Sequence, residues 1–219
     1  MEHAFWTEAW ATGRTGFHSE SVHPALHTFG HRLLREAGET VFVPLCGQTL
    51  DMPWLASHGH HVIGVEFVKD AVEGFFVDQG LVPERSSFGA HVRYSAGRID
   101  LLHGDVFEVA KGGMPRPVTA IWDRAALVAL PPARRSAYVQ GVIRPVAAPG
   151  ATMLLNVFEY DRSEMDGPPF AVPASEVHSL FSDCRVELLE SKNGVSRVHR
   201  PDRPVSRFDI LTWLIELPT

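Results

Sequence analysis

The feature that most restricts the fold is the alternation of short apolar segments with amphipathic ones over residues 40–219. Helical spacing of apolar residues predicts helices over Leu50–His58, Lys69–Gln79, Ala133–Val146 and Pro173–Asp183. Runs rich in β-branched and apolar residues predict seven strands, over Thr40–Pro44, His61–Phe67, Ile99–His103, Val118–Asp123, Ala151–Tyr160, Arg185–Ser191 and Phe208–Leu217. Strands that alternate with helices predict an α/β fold, a mostly parallel sheet covered by helices. The last two strands have no helix between them, which predicts an antiparallel edge pair.

The length of the chain favours one domain. It has 219 residues, which suffice for a single α/β core. We predict a single domain over 1–219, with the sheet in 40–219 and an N-terminal segment in 1–39 that lies over the strand ends. That segment carries Trp6, Trp10 and Phe17 among polar residues. Each of these aromatic residues either joins the core or faces a ligand, and the sequence leaves both open.

Charge and cysteine content restrict partners and compartment. The formal net charge of −6 disfavours a nucleic-acid partner, which usually requires a basic face. Cys46 and Cys184 are the only cysteines and form no CxxC pair, so we expect no disulfide framework, no zinc site and a reducing cytoplasm. A secretory signal and an apolar run long enough to span a membrane are both missing. We therefore expect a cytoplasmic protein, monomeric because it lacks a coiled-coil stripe.

The segment Pro44-Leu45-Cys46-Gly47 predicts a nucleoside site. It follows the first strand and precedes a helix, where backbone N–H groups of an open α/β sheet face a ligand. Glu66 ends the second strand, 19 residues after Gly47, where a carboxylate can accept hydrogen bonds from ribose hydroxyls. The segment lacks the other glycines of a dinucleotide loop, so its backbone cannot approach a pyrophosphate closely. This favours S-adenosylmethionine over NAD.

Two further strand ends carry candidate ligand contacts. Asp105 and Val106 follow the third strand and are candidates to contact an adenine edge and an adenine face. Asp105 is equally suited to cap a helix. Arg124 ends the fourth strand, where it can hold a carboxylate in a two-pronged contact or form a surface ion pair with Asp123.

A cysteine and a group of histidines raise the possibilities of covalent catalysis and of a metal site, and the sequence favours neither. Cys46 has no histidine beside it to act as a base, so we do not expect a covalent mechanism. His58, His60 and His61 lack a carboxylate or thiolate nearby, which favours a solvated turn over a metal site.

The order of the motifs resembles one family over nearly the whole chain. Pro-Leu-Cys-Gly and Trp-Asp-Arg together are similar to the thiopurine S-methyltransferase family, in its bacterial branch. Gln48 and Phe67–Asp70 depart from the usual bacterial pattern. The matching segments are Phe5-Trp6, Trp10, Gly13–His18, Phe42–Gly47, Gly64–Glu66, Ile121–Arg124, Ala126–Ala129 and Gly167–Phe170.

The resemblance implies a fold and a set of roles. It implies a class I methyltransferase (Rossmann-like) sheet of seven strands, the last one antiparallel, with helices on both faces and an N-terminal helical lid. It implies methyl transfer from S-adenosylmethionine to an aromatic or heterocyclic thiol, with selenium or tellurium oxyanions as further hypotheses for the acceptor. It places Phe17 and Arg124 against the acceptor, and a second acceptor-side arginine at Arg197 or Arg200. It assigns cofactor contacts to Trp10, Leu45, Glu66, Asp105, Val106 and Arg124.

Two other functions remain open from the sequence. An NAD(P)-dependent dehydrogenase uses the same kind of sheet, although the missing glycines disfavour it. A binding module that keeps the pocket without turnover would also retain Trp10, Glu66 and Arg124.

Overall fold

The computed structural model describes residues 3–15, 18–195 and 205–219. Its strands are β1 (Thr40–Pro44), β2 (His61–Glu66), β3 (Glu84–Phe88), β4 (His91–Ala96), β5 (Ile99–His103), β6 (Val118–Arg124), β7 (Ala147–Tyr160), β8 (Arg185–Asn193) and β9 (Phe208–Glu216). Its helices are α1 (His3–Ala11), α2 (Pro24–Leu33), α3 (Asp51–Ser57), α4 (Lys69–Asp78), α5 (Ala126–Ala129), α6 (Pro132–Tyr138), α7 (Arg144–Val146) and α8 (Ala174–Leu180). A 3₁₀ turn covers Val106–Gly112, and a π-helical turn over Val139–Ile143 joins α6 to α7.

The strands form one mixed sheet. Within the described ranges its order is β3-β4-β5-β2-β1-β6-β7-β9-β8. Strands β5, β2, β1, β6 and β7 are parallel, and β9 runs antiparallel between β7 and β8. The chain leaves β1 toward β2 on one side and later returns to β6 on the other. The carboxyl ends of β1 and β6 therefore flank a crevice, which is where open α/β sheets bind ligands.

Helices cover both faces of the sheet because alternate strand residues point to opposite sides. Phe42 of β1 packs in a buried cluster with residues of α5, α8 and the α6–α7 stretch. Val41 and Val43 pack in a second cluster with residues of α2, α3 and α4. Among the described residues, no helix combines the length and the apolar character needed to cross a bilayer.

The class I fold expected from the sequence is confirmed, with two additional strands. The seven predicted strands form the contiguous part of the sheet from β5 to β8, and β9 is the antiparallel one. The prediction missed β3 and β4, which form a hairpin at the opposite edge. Most side chains of β3 are exposed, so it has no alternation of apolar and polar residues. Gly89, with a φ of 56°, lies in the turn and is the one local sign of a hairpin.

Candidate active site

A large cavity opens at the carboxyl ends of β1, β2 and β6. Its volume is about 730 Å³, within the range of small-molecule sites. Described residues of α1 and of the segment after it line the cavity, together with apolar residues of β7, β9 and the segment after β7. The lining from the N-terminal part and the loop after β1 includes Phe5, Trp6, Trp10, Arg14, His18, Leu45, Cys46, Gly47 and Gln48. The remaining lining includes Asp51, Glu66, Trp122, Arg124, Val128, Ala129, Phe158, Met165, Pro168, Pro169, Phe208 and Ile210.

The loop after β1 has an unusual backbone that brings it against Trp10. Leu45 and Gly47 have φ values of 47° and 52°, in the left-handed region that favours glycine. A Cβ atom on Gly47 would lie 3.0 Å from Cζ2 of Trp10, so a side chain there would push the indole away. The non-glycine residue Leu45 holds a strained conformation while it faces the cavity, a combination common at ligand sites.

Glu66 connects the loop to the end of β2. Its side chain lies at the cavity and the residue is only 5% exposed. One carboxylate oxygen accepts a hydrogen bond from the Gly47 N–H at 3.0 Å, and the other accepts one from the Val68 N–H at 2.8 Å. Burial raises the pKa of Glu66, and these backbone donors oppose that rise. The carboxylate therefore orders the loop and keeps acceptor capacity on the cavity side.

The side chains of Trp122, Asp123 and Arg124, at the end of β6, lie in three different environments. The indole N–H of Trp122 donates to Asp51 at 2.8 Å, and both side chains are buried. Asp123 is fully buried and accepts hydrogen bonds from the Ala126 and Leu127 N–H groups and from the Tyr138 hydroxyl. Arg124 is half-buried and lines the cavity. Asp123 thus caps α5, and Arg124 faces the site.

Asp51 is a site residue that sequence reasoning did not identify. It is 1% exposed, and it accepts hydrogen bonds from the Trp122 indole and from the His23 N–H, the latter at 2.7 Å. It therefore joins the N-terminal segment to α3 and to β6 beside the cavity. An aspartate at the first turn of a helix is ordinary, so the pattern carried no signal of this junction.

Asp105 and Val106 do not line this cavity. The Asp105 carboxylate accepts a hydrogen bond from the Phe107 N–H at 2.9 Å and caps the 3₁₀ turn. Val106 is 1% exposed and belongs to the core. The capping alternative is what the structure contains, and an adenine contact of either residue stays a prediction. The expected acceptor contact Phe17 and the arginines Arg197 and Arg200 lie outside the described residues.

The environment of Cys46 disfavours a thiolate. The residue is 6% exposed, and burial followed by the charge of Glu66 raises the pKa of its thiol well above the usual value. A neutral thiol is a poor nucleophile. Within the ranges that the structure describes, no three histidine, cysteine or acidic side chains are grouped to hold a metal ion.

Asp123 should make stability depend on pH. Burial raises the pKa of Asp123 to about 6, from an ordinary value of 3.8. Its contribution to the free energy of unfolding is therefore fully present below the unfolded pKa and is lost as pH rises through about 6. Asp123→Asn removes this titration and keeps an oxygen for the two N–H donors. Between pH 4 and 7 the variant should gain about 2 kcal/mol of unfolding free energy relative to the wild type, measured by denaturant titration. A difference that does not vary with pH would contradict this assignment.

The family model described as thiopurine S-methyltransferase matches residues 1–216 of the chain. The chain belongs to the thiopurine S-methyltransferase family. It is an S-adenosylmethionine-dependent methyltransferase, as the family membership and the class I fold together establish.

Relatives in this family match most of the chain. The thiopurine S-methyltransferase of Xanthomonas euvesicatoria is 43% identical over 194 residues, which are 88% of this chain and 88% of the relative. That of Methylococcus capsulatus is 43% identical over 199 residues, 89% of this chain and 88% of the relative. That of Aliivibrio fischeri is 38% identical over 220 residues, 99% of this chain and 100% of the relative.

Solved structures share the fold at low identity. The 1,6-didemethyltoxoflavin-N1-methyltransferase of Burkholderia thailandensis, solved with 1,6-didemethyltoxoflavin and S-adenosylhomocysteine, matches with a TM-score of 0.61 at 15% identity, over 99% of this chain and 87% of that chain. A methyltransferase from Anabaena variabilis matches with a TM-score of 0.62 at 15% identity, over 97% and 95%.

Proposed function

We propose that this member of the thiopurine S-methyltransferase family methylates the sulfur of an aromatic or heterocyclic thiol. The observation that carries the proposal is that one cavity joins the loop at Glu66 to an apolar wall that includes Phe158 and Phe208. A flat aromatic acceptor would be buried favourably against such a wall. The relatives named thiopurine S-methyltransferase, at 38–43% identity, support the same acceptor class.

The residues at the cavity fit S-adenosylmethionine. Glu66 offers a buried carboxylate suited to ribose hydroxyls, and Arg124 offers a guanidinium suited to the amino-acid carboxylate or to an anionic acceptor. Leu45 and Trp10 give the cavity an apolar surface at this loop. A glycine at position 47 is required for the close approach of the loop to the Trp10 indole. Asp105 and Val106 would complete an adenine contact if the cofactor extends along β5.

Catalysis would depend on alignment rather than on a base. S-adenosylmethionine supplies an electrophilic methyl group, and a heterocyclic thiol is largely ionised without help. The chain would hold the acceptor on the apolar wall and exclude water beneath the N-terminal segment, with Arg124 steadying negative charge. Effective molarities of aligned reactants can account for about 7–11 kcal/mol of a barrier.

Turnover of a thiol tests the proposal directly. Purified protein with S-adenosylmethionine should methylate 6-mercaptopurine, followed as S-methyl product by mass spectrometry. Selenite, tellurite and small aliphatic thiols complete the panel and test the alternative acceptors. Product from none of the thiols would overturn the thiol proposal, and product from the oxyanions alone would replace it. Calorimetric titration with S-adenosylhomocysteine and NAD tests the dehydrogenase alternative, which requires tight binding of NAD.

Arg124→Lys should lower kcat/KM for the thiol about tenfold, because an ammonium cannot make a two-pronged contact with a carboxylate. The exposed Arg134 of α6 supplies the control, and Arg134→Lys should keep wild-type kinetics. Equal kinetics of Arg124→Lys and the wild type would remove Arg124 from the proposed site.

The domain organisation follows from the same proposal. Residues 1–39 would act as a lid on a core formed by 40–219, since Phe5, Trp6 and Trp10 line the cavity. A monomeric state and a cytoplasmic location stay predictions, and light scattering of the purified chain measures the first.

A further inference from the structure

The segment 161–173 forms neither a helix nor a strand, and it contributes to the apolar wall of the cavity. Met165, Pro168 and Pro169 of this segment line the cavity. A segment of irregular backbone costs conformational entropy to hold in one shape, so other groups must fix it.

Arg135 of α6 hydrogen-bonds to the end of this segment and does not itself line the cavity. Its side chain is fully buried. Its Nε donates to the Leu130 carbonyl at 3.1 Å, and its Nη1 donates to the Ala171 carbonyl at 3.0 Å and to the Glu176 carboxylate at 2.8 Å. One guanidinium thereby joins the residue after α5, the end of the segment and the first turn of α8.

The Arg135 guanidinium binds carbonyl groups next to α5 and at the end of segment 161–173, and both of these parts of the chain line the cavity. Val128 and Ala129 of α5 line the cavity directly before Leu130. The Phe170 N–H donates to the Val128 carbonyl at 2.7 Å, so the segment runs against α5 where Arg135 binds both. Arg135 thus sits behind the junction of the two surfaces that would contact an acceptor.

Burial of a full charge at this junction requires an explanation. An arginine removed from water is costly unless its donors are paired, and here Nη2 has no hydrogen-bond partner among the described residues. An apolar residue would fill this space at lower cost but could not bind two carbonyls. Arg162 also reaches Ala171 and Glu176, but its side chain is 52% exposed, where such contacts contribute little.

We propose that Arg135 is a positioning residue for the acceptor: it acts through segment 161–173 and α5, and it sets acceptor affinity without touching the cofactor side. The inference rests on the proposed function, because it assigns the apolar wall to the acceptor. It differs from a general role in stability, since it predicts an effect on one substrate only.

The test is Arg135→Lys in the full chain, which keeps the charge but loses the planar fork. The KM for 6-mercaptopurine should rise roughly tenfold, as expected for lost hydrogen bonds to a charged group. The dissociation constant of S-adenosylhomocysteine, measured by calorimetry, should stay within about twofold, below the loss of one such bond. Arg134→Lys is the matched control, because Arg134 is the adjacent residue on α6, exposed and placed over the Phe107 ring.

A second readout does not depend on the acceptor. With S-adenosylhomocysteine bound, a glutamate-specific protease should cleave after Glu164, inside the segment, faster in Arg135→Lys than in the wild type. If the wild type methylates no thiol, the proposed function fails, and the cleavage rate still decides whether Arg135 holds the segment. Should Arg135→Lys not fold, Glu176→Gln should raise the KM and the cleavage rate in the same direction.

Two results would overturn the inference. One is an unchanged KM together with an unchanged cleavage rate at Glu164. The other is a parallel loss of acceptor and cofactor affinity, which would indicate general damage to the fold.

Discussion

Replacement of Glu66 by alanine should weaken the binding of S-adenosylhomocysteine by about 1.5–3 kcal/mol, the range for hydrogen bonds to a charged group. A second cause acts in the same direction. The variant leaves the Gly47 and Val68 N–H groups without the carboxylate that accepts their hydrogen bonds at 3.0 and 2.8 Å. The loop against Trp10 would then lose its order as well as its ribose acceptor. Calorimetric titration of wild type and variant measures the difference.

Two variants separate these causes. Glu66→Gln keeps one oxygen but presents an amide to one of the N–H donors, so its affinity should lie between those of wild type and Glu66→Ala. Glu73→Ala removes a partly exposed carboxylate of α4 that pairs with Lys69 and Arg85, and it should leave cofactor affinity unchanged. Wild-type affinity in Glu66→Ala would mean that the ribose binds elsewhere.

Asp51→Ala should lower the free energy of unfolding by about 3 kcal/mol, because it leaves two donors without an acceptor. The Trp122 indole N–H is fully buried, and the His23 N–H is half-buried. For a chain of this size, a loss of that magnitude lowers Tm by roughly 6–12 °C. Thermal unfolding followed by circular dichroism measures the shift.

The same variant should loosen the N-terminal segment. The Asp51 carboxylate accepts hydrogen bonds from the His23 N–H of that segment and from Trp122 of β6, and it thereby joins the segment to the sheet. Asp51→Asn keeps one acceptor oxygen and should cost less than Asp51→Ala. The exposed Asp78 at the end of α4 supplies the control, and Asp78→Ala should change stability by less than about 0.5 kcal/mol. A loss below about 1 kcal/mol in Asp51→Ala would show that water replaces the carboxylate at both donors.

The parts of the site that the sequence predicted are those with a local signal. Pro44–Gly47 joins a buried strand to a helix, and Glu66 ends the next strand, so the order of residues alone brings both to one edge of a parallel sheet. Arg124 is predictable for the same reason, since it ends the strand on the other side of β1. Trp10 required the family resemblance, because the sequence left open whether an aromatic residue of the N-terminal segment joins the core or faces a ligand.

The residues that were missed have partners far away in the chain. Asp51 and Trp122 are 71 positions apart, and Arg135 and Ala171 are 36 apart. An aspartate early in a helix or an arginine within one is usually exposed, so neither residue type in its position indicated burial. Asp105 shows the converse, because its sequence position fits a ligand contact and a cap equally, and its hydrogen bond is that of a cap.

The sequence by itself determined the α/β class, the mostly parallel sheet and the position of the loop Pro44–Gly47 at one edge of it. These follow from short-range patterns of apolar residues and from the rule that parallel strands end at one edge. Only the tertiary structure decided which polar groups are buried together, as in the network of Asp51, Trp122 and His23 or the guanidinium of Arg135. The physical reason is that the cost of burying a polar group, and the pKa of a group such as Asp123, depend on partners that distant segments supply.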